Sequence, residues 1–235
     1  MSAMVEEVRR ELAARGSEEN RNGAMRFFKE EIRSHGVKSP EVTALAKRYL
    51  PALRKLPKAE VFALCEELWS SGYLEESGVA CLWAHAQRRR FEPADFAVFE
   101  GWIQNYVSNW AACDTLCNHT VGDFIQAFPQ YLPELERFAR SPNRWMRRAA
   151  AVSLIVPARR GLFLVQVLAL ADILLMDTDD LVRKGYGWML KAASQAYEQE
   201  VFQYVCDRRD RMPRTALRYA IENMPPELKA VAMGR

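Results

Sequence analysis

Three segments of this 235-residue chain repeat one another, and that repetition limits the possible folds more than any other feature. Met146-Arg147-Arg148-Ala149-Ala150-Ala151-Val152-Ser153-Leu154 aligns with Val182-Arg183-Lys184-Gly185-Tyr186-Gly187-Trp188-Met189-Leu190. Both align with Pro213-Arg214-Thr215-Ala216-Leu217-Arg218-Tyr219-Ala220-Ile221, so the arginines at 147, 183 and 214 stand 36 and then 31 residues apart. Upstream, Trp110 lies 35 residues before Trp145, and Leu74 lies 36 before Trp110. A second amphipathic stretch precedes each unit, as at 131–139 and 167–175. A period near 35 residues holding two helices predicts an α-solenoid, in which each pair buries its apolar face against the next.

The rest of the chain agrees with an all-α reading. Apolar residues recur at three and four, as in Val61, Leu64, Cys65, Leu68 and Trp69. No Asn-Gly or Asp-Gly turn separates runs of alternating residues. Small residues (Ala149, Ala150, Gly185, Ala216) fall where a second helix must approach its neighbour closely. An apolar residue followed by a basic one, two or three positions before them, looks like the HEAT repeat pattern. The expected architecture is about six HEAT-like helical pairs in a single curved domain over residues 1–235, its concave face lined by second helices. Arg147, Arg183 and Arg214 suit a structural role, capping or bridging to the adjacent repeat. Arg148 is displaced from that row by one residue, about 100° around the helix, and so suits a different one.

Composition removes several classes. No run of 18 apolar residues exists; the longest apolar stretch, 161–176, is interrupted by Gln166 and Asp172. The first residues, with Glu6, Glu7, Arg9, Arg10 and Glu11, lack the apolar centre of a signal peptide, which predicts a cytoplasmic protein. Five cysteines, an odd number, argue against a disulfide framework. Cys113, Cys117 and His119 lie close together, but no second Cys/His pair follows at zinc-site spacing, so no metal is expected. The formal charge of +3 conceals an asymmetry: from residue 137 onward there are 17 Lys/Arg against 10 Asp/Glu, and before it 16 against 20. A basic second half points to a polyanionic partner; scattered surface arginines are the alternative.

One constellation goes beyond packing. Trp110 and Asp114 are four apart and share a helix face. Arg148 sits in Trp145-Met146-Arg147-Arg148-Ala149-Ala150, and Trp188 in Gly185-Tyr186-Gly187-Trp188. Singly, each reads as core or ordinary surface. Together they place two electron-rich rings, a carboxylate and a guanidinium on second helices of successive repeats. That chemistry suits a cationic base-and-sugar ligand.

At this point the sequence resembles the AlkD-like DNA alkylation repair glycosylases, which are built from HEAT-like repeats. The resemblance runs from about residue 25 to 220. It is carried by Asn109-Trp110-x-x-x-Asp114, by Trp145-x-x-Arg148-Ala149-Ala150 and by Lys184-x-x-Gly187-Trp188. Met25-Arg26-Phe27-Phe28-Lys29 looks like the family's aromatic-lysine helix, and Gly36-Val37-Lys38-Ser39-Pro40 like its glycine-to-proline turn. The resemblance implies excision of N3- or N7-alkylated purines from duplex DNA. No lysine is placed as an evident Schiff-base nucleophile, so no lyase step is expected, and nothing in the sequence implies a cofactor. N-alkylation makes the purine cationic and a good leaving group, and cleavage builds oxocarbenium character on the sugar. Asp114 then stabilises that cation and orients water, while Trp110 and Trp188 stack beside it. Arg148 and Lys184 are implied phosphate contacts, and Phe27 and Lys29 further DNA contacts. The family leaves the damaged base unflipped, and no lid or pocket is evident here. A monomer acting on alkylated double-stranded DNA, without an obligate protein partner, is expected.

Two departures stand out. Phe27 (or Phe28) occupies a place where the family often has tyrosine, and Glu41-Val42-Thr43 follows Pro40 where basic residues are usual. Outside the cleft, Arg88-Arg89-Arg90 reads as a match to a helix C-terminus or a phosphate contact, and His85 and His119 as structural. Two other functions remain open: a non-catalytic binder of damaged or unusual DNA structures, and a protein-interaction scaffold.

Overall fold

The computed structural model describes residues 2–234. Among them the regular structure is helical: there is no strand, and Arg33 and Tyr73 form an isolated bridge. None of these helices is long and apolar enough to cross a membrane. The chain divides into two compact units, Met1–Leu116 and Cys117–Arg235.

The first unit contains α1 (Ala3–Arg15), α2 (Glu18–Met25), α3 (Ser39–Arg48) and the short α4 (Leu50–Leu53). It continues with α5 (Lys58–Trp69), α6 (Leu74–Ala86), α7 (Asp95–Asn105) and α8 (Trp110–Thr115). Helix α6 packs against α3, α5 and α8. This core is built from rings. Phe62 meets Phe99 and Trp102 edge-on at 5.7 and 5.6 Å, and Phe91 meets Phe99 at 5.1 Å. Arg88–Arg90 form a 3-10 turn after α6, where Arg88 Nη1 donates to the His85 carbonyl in the last turn of that helix at 3.5 Å and Arg90 Nη1 donates to the Leu56 carbonyl and to Gln87 Oε1.

The second unit opens in a π-helical stretch, Leu116–Val121, that begins at the last residue of the first. It continues with α9 (Gly122–Ala127), α10 (Leu132–Ala139), α11 (Arg144–Val152) and α12 (Ile155–Arg159). Then come α13 (Leu164–Leu174), α14 (Asp180–Ala193), α15 (Glu198–Arg208), α16 (Arg214–Ala220) and α17 (Pro226–Ala232). Helix α11 packs on α14, and α14 on α16, in the order of the sequence repeat. Helices α11 and α14 are each partnered by an earlier helix, α10 with α11 and α13 with α14. Small residues permit the close approach: Ala149, Ala150, Ala151 and Ala216 are all buried. Arg147 on α11 reaches the turn before α14, pairing with Asp177 through Nε at 2.6 Å. Arg183 stays within its own repeat, its Nε donating to the Asp177 carbonyl just before α14 at 2.6 Å. Arg214 is exposed.

Side-chain caps recur with the repeat. Asn109 accepts from the Ala112 N–H at 2.9 Å, Asn143 from Trp145 at 2.9 Å and Asp179 from Leu181 at 2.8 Å. These caps stand 34 and 36 residues apart and start α8, α11 and α14, the helices that carry the constellation.

Candidate functional site

In the first unit, the Asn109 cap makes Trp110 the first residue of α8 and puts Asp114 one turn further on. Asn109 is buried, whereas Trp110 and Asp114 are half-buried. The Trp110 ring is fixed from outside its own helix. Its Nε1–H donates to the Phe27 carbonyl at 3.3 Å, and Phe28 stacks on it with centroids 5.2 Å apart and planes 20° apart.

This contact corrects the expected aromatic-lysine helix. Helix α2 ends at Met25, and Phe27 and Phe28 follow in a turn whose N–H groups reach Ala24 and Met25 at 3.0 and 3.3 Å. Leaving the helix frees the Phe27 carbonyl for the indole and lets Phe28 reach the ring. Phe28 is therefore the residue that meets Trp110. Phe27 is 77% exposed, and Lys29 is exposed as well.

The chain returns from this turn through residues 34–37, gripped by one buried carboxylate. Glu75 accepts from Ser34 Oγ at 2.7 Å and from the N–H groups of His35, Gly36 and Val37 at 2.9–3.1 Å. Gly36 has φ of +82°, and a Cβ there would lie 2.2 Å from the Ser17 carbonyl oxygen, so the turn requires glycine. Next to it Glu76 accepts from Arg9 Nε at 2.8 Å and His35 Nε2 at 3.1 Å. Burial pushes the Glu76 carboxyl up, but these hydrogen bonds outweigh it and hold the group below its ordinary value. Neither glutamate is marked by a sequence motif. Their adjacent position at the start of α6 is visible only once the loop folds over it.

Between α2, the 34–39 turn, α3, α6 and α8 lies a cavity of about 960 Å³. Trp110, Phe27 and Phe28 contribute rings to its wall, and Gly23, Gly78 and Ala111 keep it open. Arg26 and Lys38 line it too, and both are exposed. No pocket was evident in the sequence, because these residues are scattered over 97 positions, from 19 to 115.

In the second unit, Arg148 is buried at 5% exposure, and its Nη1 donates to the Leu181 carbonyl in the first turn of α14. Its side chain runs beside Gly185, whose added Cβ would lie 3.5 Å from Cγ and Nη1 of Arg148. Arg148 is thus tied to the helix that carries Trp188. At Gly187 a Cβ would come within 2.7 Å of Tyr219 Cβ and 2.8 Å of the Ala216 carbonyl oxygen. Glycine there lets α16 approach the back of α14, and Trp188, half-buried, is the next residue. Lys184, half-buried, pairs with Asp180 at 2.9 Å, and that hydrogen bond raises its pKa. His119 is exposed within the π-helical stretch.

The family model for DNA alkylation repair enzymes matches residues 8–224. Among solved structures, the chain is similar to a predicted DNA alkylation repair enzyme from Enterococcus faecalis, with a TM-score of 0.81 at 18% identity. That match covers 90% of this chain and 98% of the other. No curated protein matches.

Proposed function

The chain belongs to the DNA alkylation repair enzyme family, and from that membership we propose that it is a monofunctional DNA glycosylase. Its substrates in this reading are positively charged N3- and N7-alkylated purines in duplex DNA. The observation that carries the proposal is the α8 arrangement: a half-buried carboxylate, Asp114, one turn from an indole that other parts of the unit hold in a set orientation.

In the proposed reaction the N-glycosidic bond breaks with its electron pair leaving on the purine, which is neutralised as it departs. Asp114 opposes the positive charge that develops on the deoxyribose and orients a water toward the anomeric carbon. Water supplies the new oxygen, and its proton passes to the carboxylate and then to solvent. The rings of Trp110 and Trp188 lie beside the sugar cation, each worth about 0.5–2 kcal/mol. Arg148 and Lys184 serve the phosphate backbone, with Phe27 and Lys29 as outer contacts. Arg148 also holds the Leu181 carbonyl, so its contact with DNA would be coupled to the placing of α14 and Trp188. The consecutive stacking of α11, α14 and α16 supports HEAT-like repeats as the scaffold. The exposed basic side chains of the second unit suit a phosphate-dominated interface, whose affinity falls steeply with salt.

The test is chromatography of bases released when purified protein meets methylated duplex DNA. N3-methyladenine or N7-methylguanine above the spontaneous rate is expected. No release, with salt-sensitive binding intact, would make the protein a DNA-structure binder. A flat salt dependence would instead favour a protein-interaction scaffold.

A further inference from the structure

The first unit holds slightly more acid than base, 17 Asp/Glu against 16 Lys/Arg, yet its cations are not evenly spread. Between Glu41 and Glu60 stand five Lys/Arg and no acid, and between Glu76 and Glu92 three arginines and no acid. The fold brings these two stretches together. Arg90 Nη1 donates to the Leu56 carbonyl at 3.1 Å, and Lys58 Nζ donates to the Arg90 carbonyl at 3.0 Å. Arg54, Lys55 and Lys58 thus share one edge of the unit with Arg88, Arg89 and Arg90. Part of this charge has a structural use: Lys58 is held by Glu92 and Asp95 at 2.9 and 2.8 Å, and Arg88 and Arg90 by His85, Leu56 and Gln87. Arg54, Lys55 and Arg89 are exposed, and their side chains have no hydrogen-bond or ion-pair partner among the described residues. The exposed large apolar side chains described in this unit are Met25 and Phe27, and neither belongs to the cluster. It therefore lacks the apolar anchor that a membrane-surface site combines with its cations.

We propose that this cluster is a second contact for the phosphodiester backbone of duplex DNA, apart from the residues that meet the lesion. The inference rests on DNA being the partner, as in the glycosylase reading, and adds a surface which that reading does not use. Guanidinium forks and an ammonium without counter-charges suit phosphate oxygens, and each phosphate they neutralise releases condensed counterions. The cluster follows the last turn of α6, a 13-residue helix about 20 Å long, whereas Leu74 and Glu75 in its first turn line the cavity with Trp110. Backbone held at the cluster therefore lies outside that cavity. The contact strengthens the hold on DNA and leaves the reacting sugar untouched.

The test is the affinity of the full chain for an unmodified duplex of about 30 base pairs, followed against salt by fluorescence anisotropy of labelled DNA. It compares wild type with the triple variant Arg54→Gln, Lys55→Gln, Arg89→Gln, whose side chains are exposed and whose fold is therefore kept. The slope of log K against log salt should be shallower by about 2–3 in the variant, and its affinity at low salt about ten-fold or more weaker. Base release at saturating methylated DNA should be equal in the two proteins. Arg10→Gln, which removes an exposed cation of α1 outside the cluster, should leave the slope unchanged. An unchanged slope in the triple variant would overturn the contact, and base release by both proteins would then leave the glycosylase reading in place. Arg10→Gln lowering the slope as much per charge would overturn it too, because the attraction would then be diffuse. Binding to phosphatidylglycerol vesicles that the triple variant loses, with its duplex slope unchanged, would assign the cluster to a lipid surface instead. A slope difference without base release from either protein would uphold the contact and sink the glycosylase reading alone.

Discussion

The two units hold their tryptophans by opposite means. In the first, Trp110 stands at the start of a six-residue helix and is steadied by groups distant in sequence, the Phe27 carbonyl and the Phe28 ring. In the second, Trp188 sits within a 14-residue helix whose back is pressed against α16 at a glycine. The cores behind them differ in the same sense. Rings fill the first, from Phe62 to Trp102, whereas alanines and glycines bring helices together in the second. A ring core can absorb the loss of one contact by local adjustment. A backbone-to-backbone contact has no slack, because close-packed interiors answer added volume with displacement.

That contrast orders the expected effects of substitution. Gly187→Val should be the most damaging, at about 3 kcal/mol, because its side chain would occupy the space of Tyr219 and the Ala216 carbonyl. Denaturant unfolding measures it, and a loss below about 1 kcal/mol would mean that the α14–α16 contact can open. Arg148→Ala should follow at about 2 kcal/mol, since it strips a buried charged donor from the Leu181 carbonyl. It should weaken DNA binding as well. Unchanged stability with weakened binding would assign Arg148 to the phosphate alone.

In the first unit the effects should be smaller and more local. Glu76→Gln removes a buried acceptor of Arg9 and His35, and about 1–2 kcal/mol should be lost at neutral pH. Its pH dependence has a definite sign. The folded-state pKa lies below the ordinary 4.5, so the stabilisation is complete above 4.5 and disappears as pH falls through the folded value. Wild type should therefore lose stability below pH 4.5 more steeply than Glu76→Gln; parallel curves would contradict the arrangement. Asp172 behaves alike in the second unit: burial raises it, but Arg208 and Tyr204 bring it below its ordinary value. Phe28→Ala should be mildest, at about 1 kcal/mol, the value of one stacked pair. Its larger effect should be on indole mobility, read as a drop in the fluorescence anisotropy of a variant retaining only Trp110.

Much of this arrangement can be read in the sequence, for physical reasons. Helical periodicity and small-residue spacing report on local geometry, so the all-α class and the succession of α11, α14 and α16 were both legible. Arg147 and Arg183 were legible for the same reason, since their partner, Asp177, lies between them in sequence. What escaped was decided by long-range contacts. Helix α2 ends at Met25, and the turn that follows it meets Trp110, 83 residues away, a contact that local propensity does not report. Angular displacement separates Arg148 from Arg147 without saying that Arg148 would be buried beside Gly185. The cavity needs the 34–37 loop in place, which in turn depends on Glu75, a residue with no motif.

The most direct measurement is the single-turnover rate of methylpurine release from methylated duplex DNA by wild type and Asp114→Asn, at matched DNA affinity. The account predicts a loss of about 10²–10⁴-fold in the variant, the usual worth of a positioned acid–base group, with affinity unchanged. Equal rates would remove Asp114 from the chemistry and contradict the account at its centre.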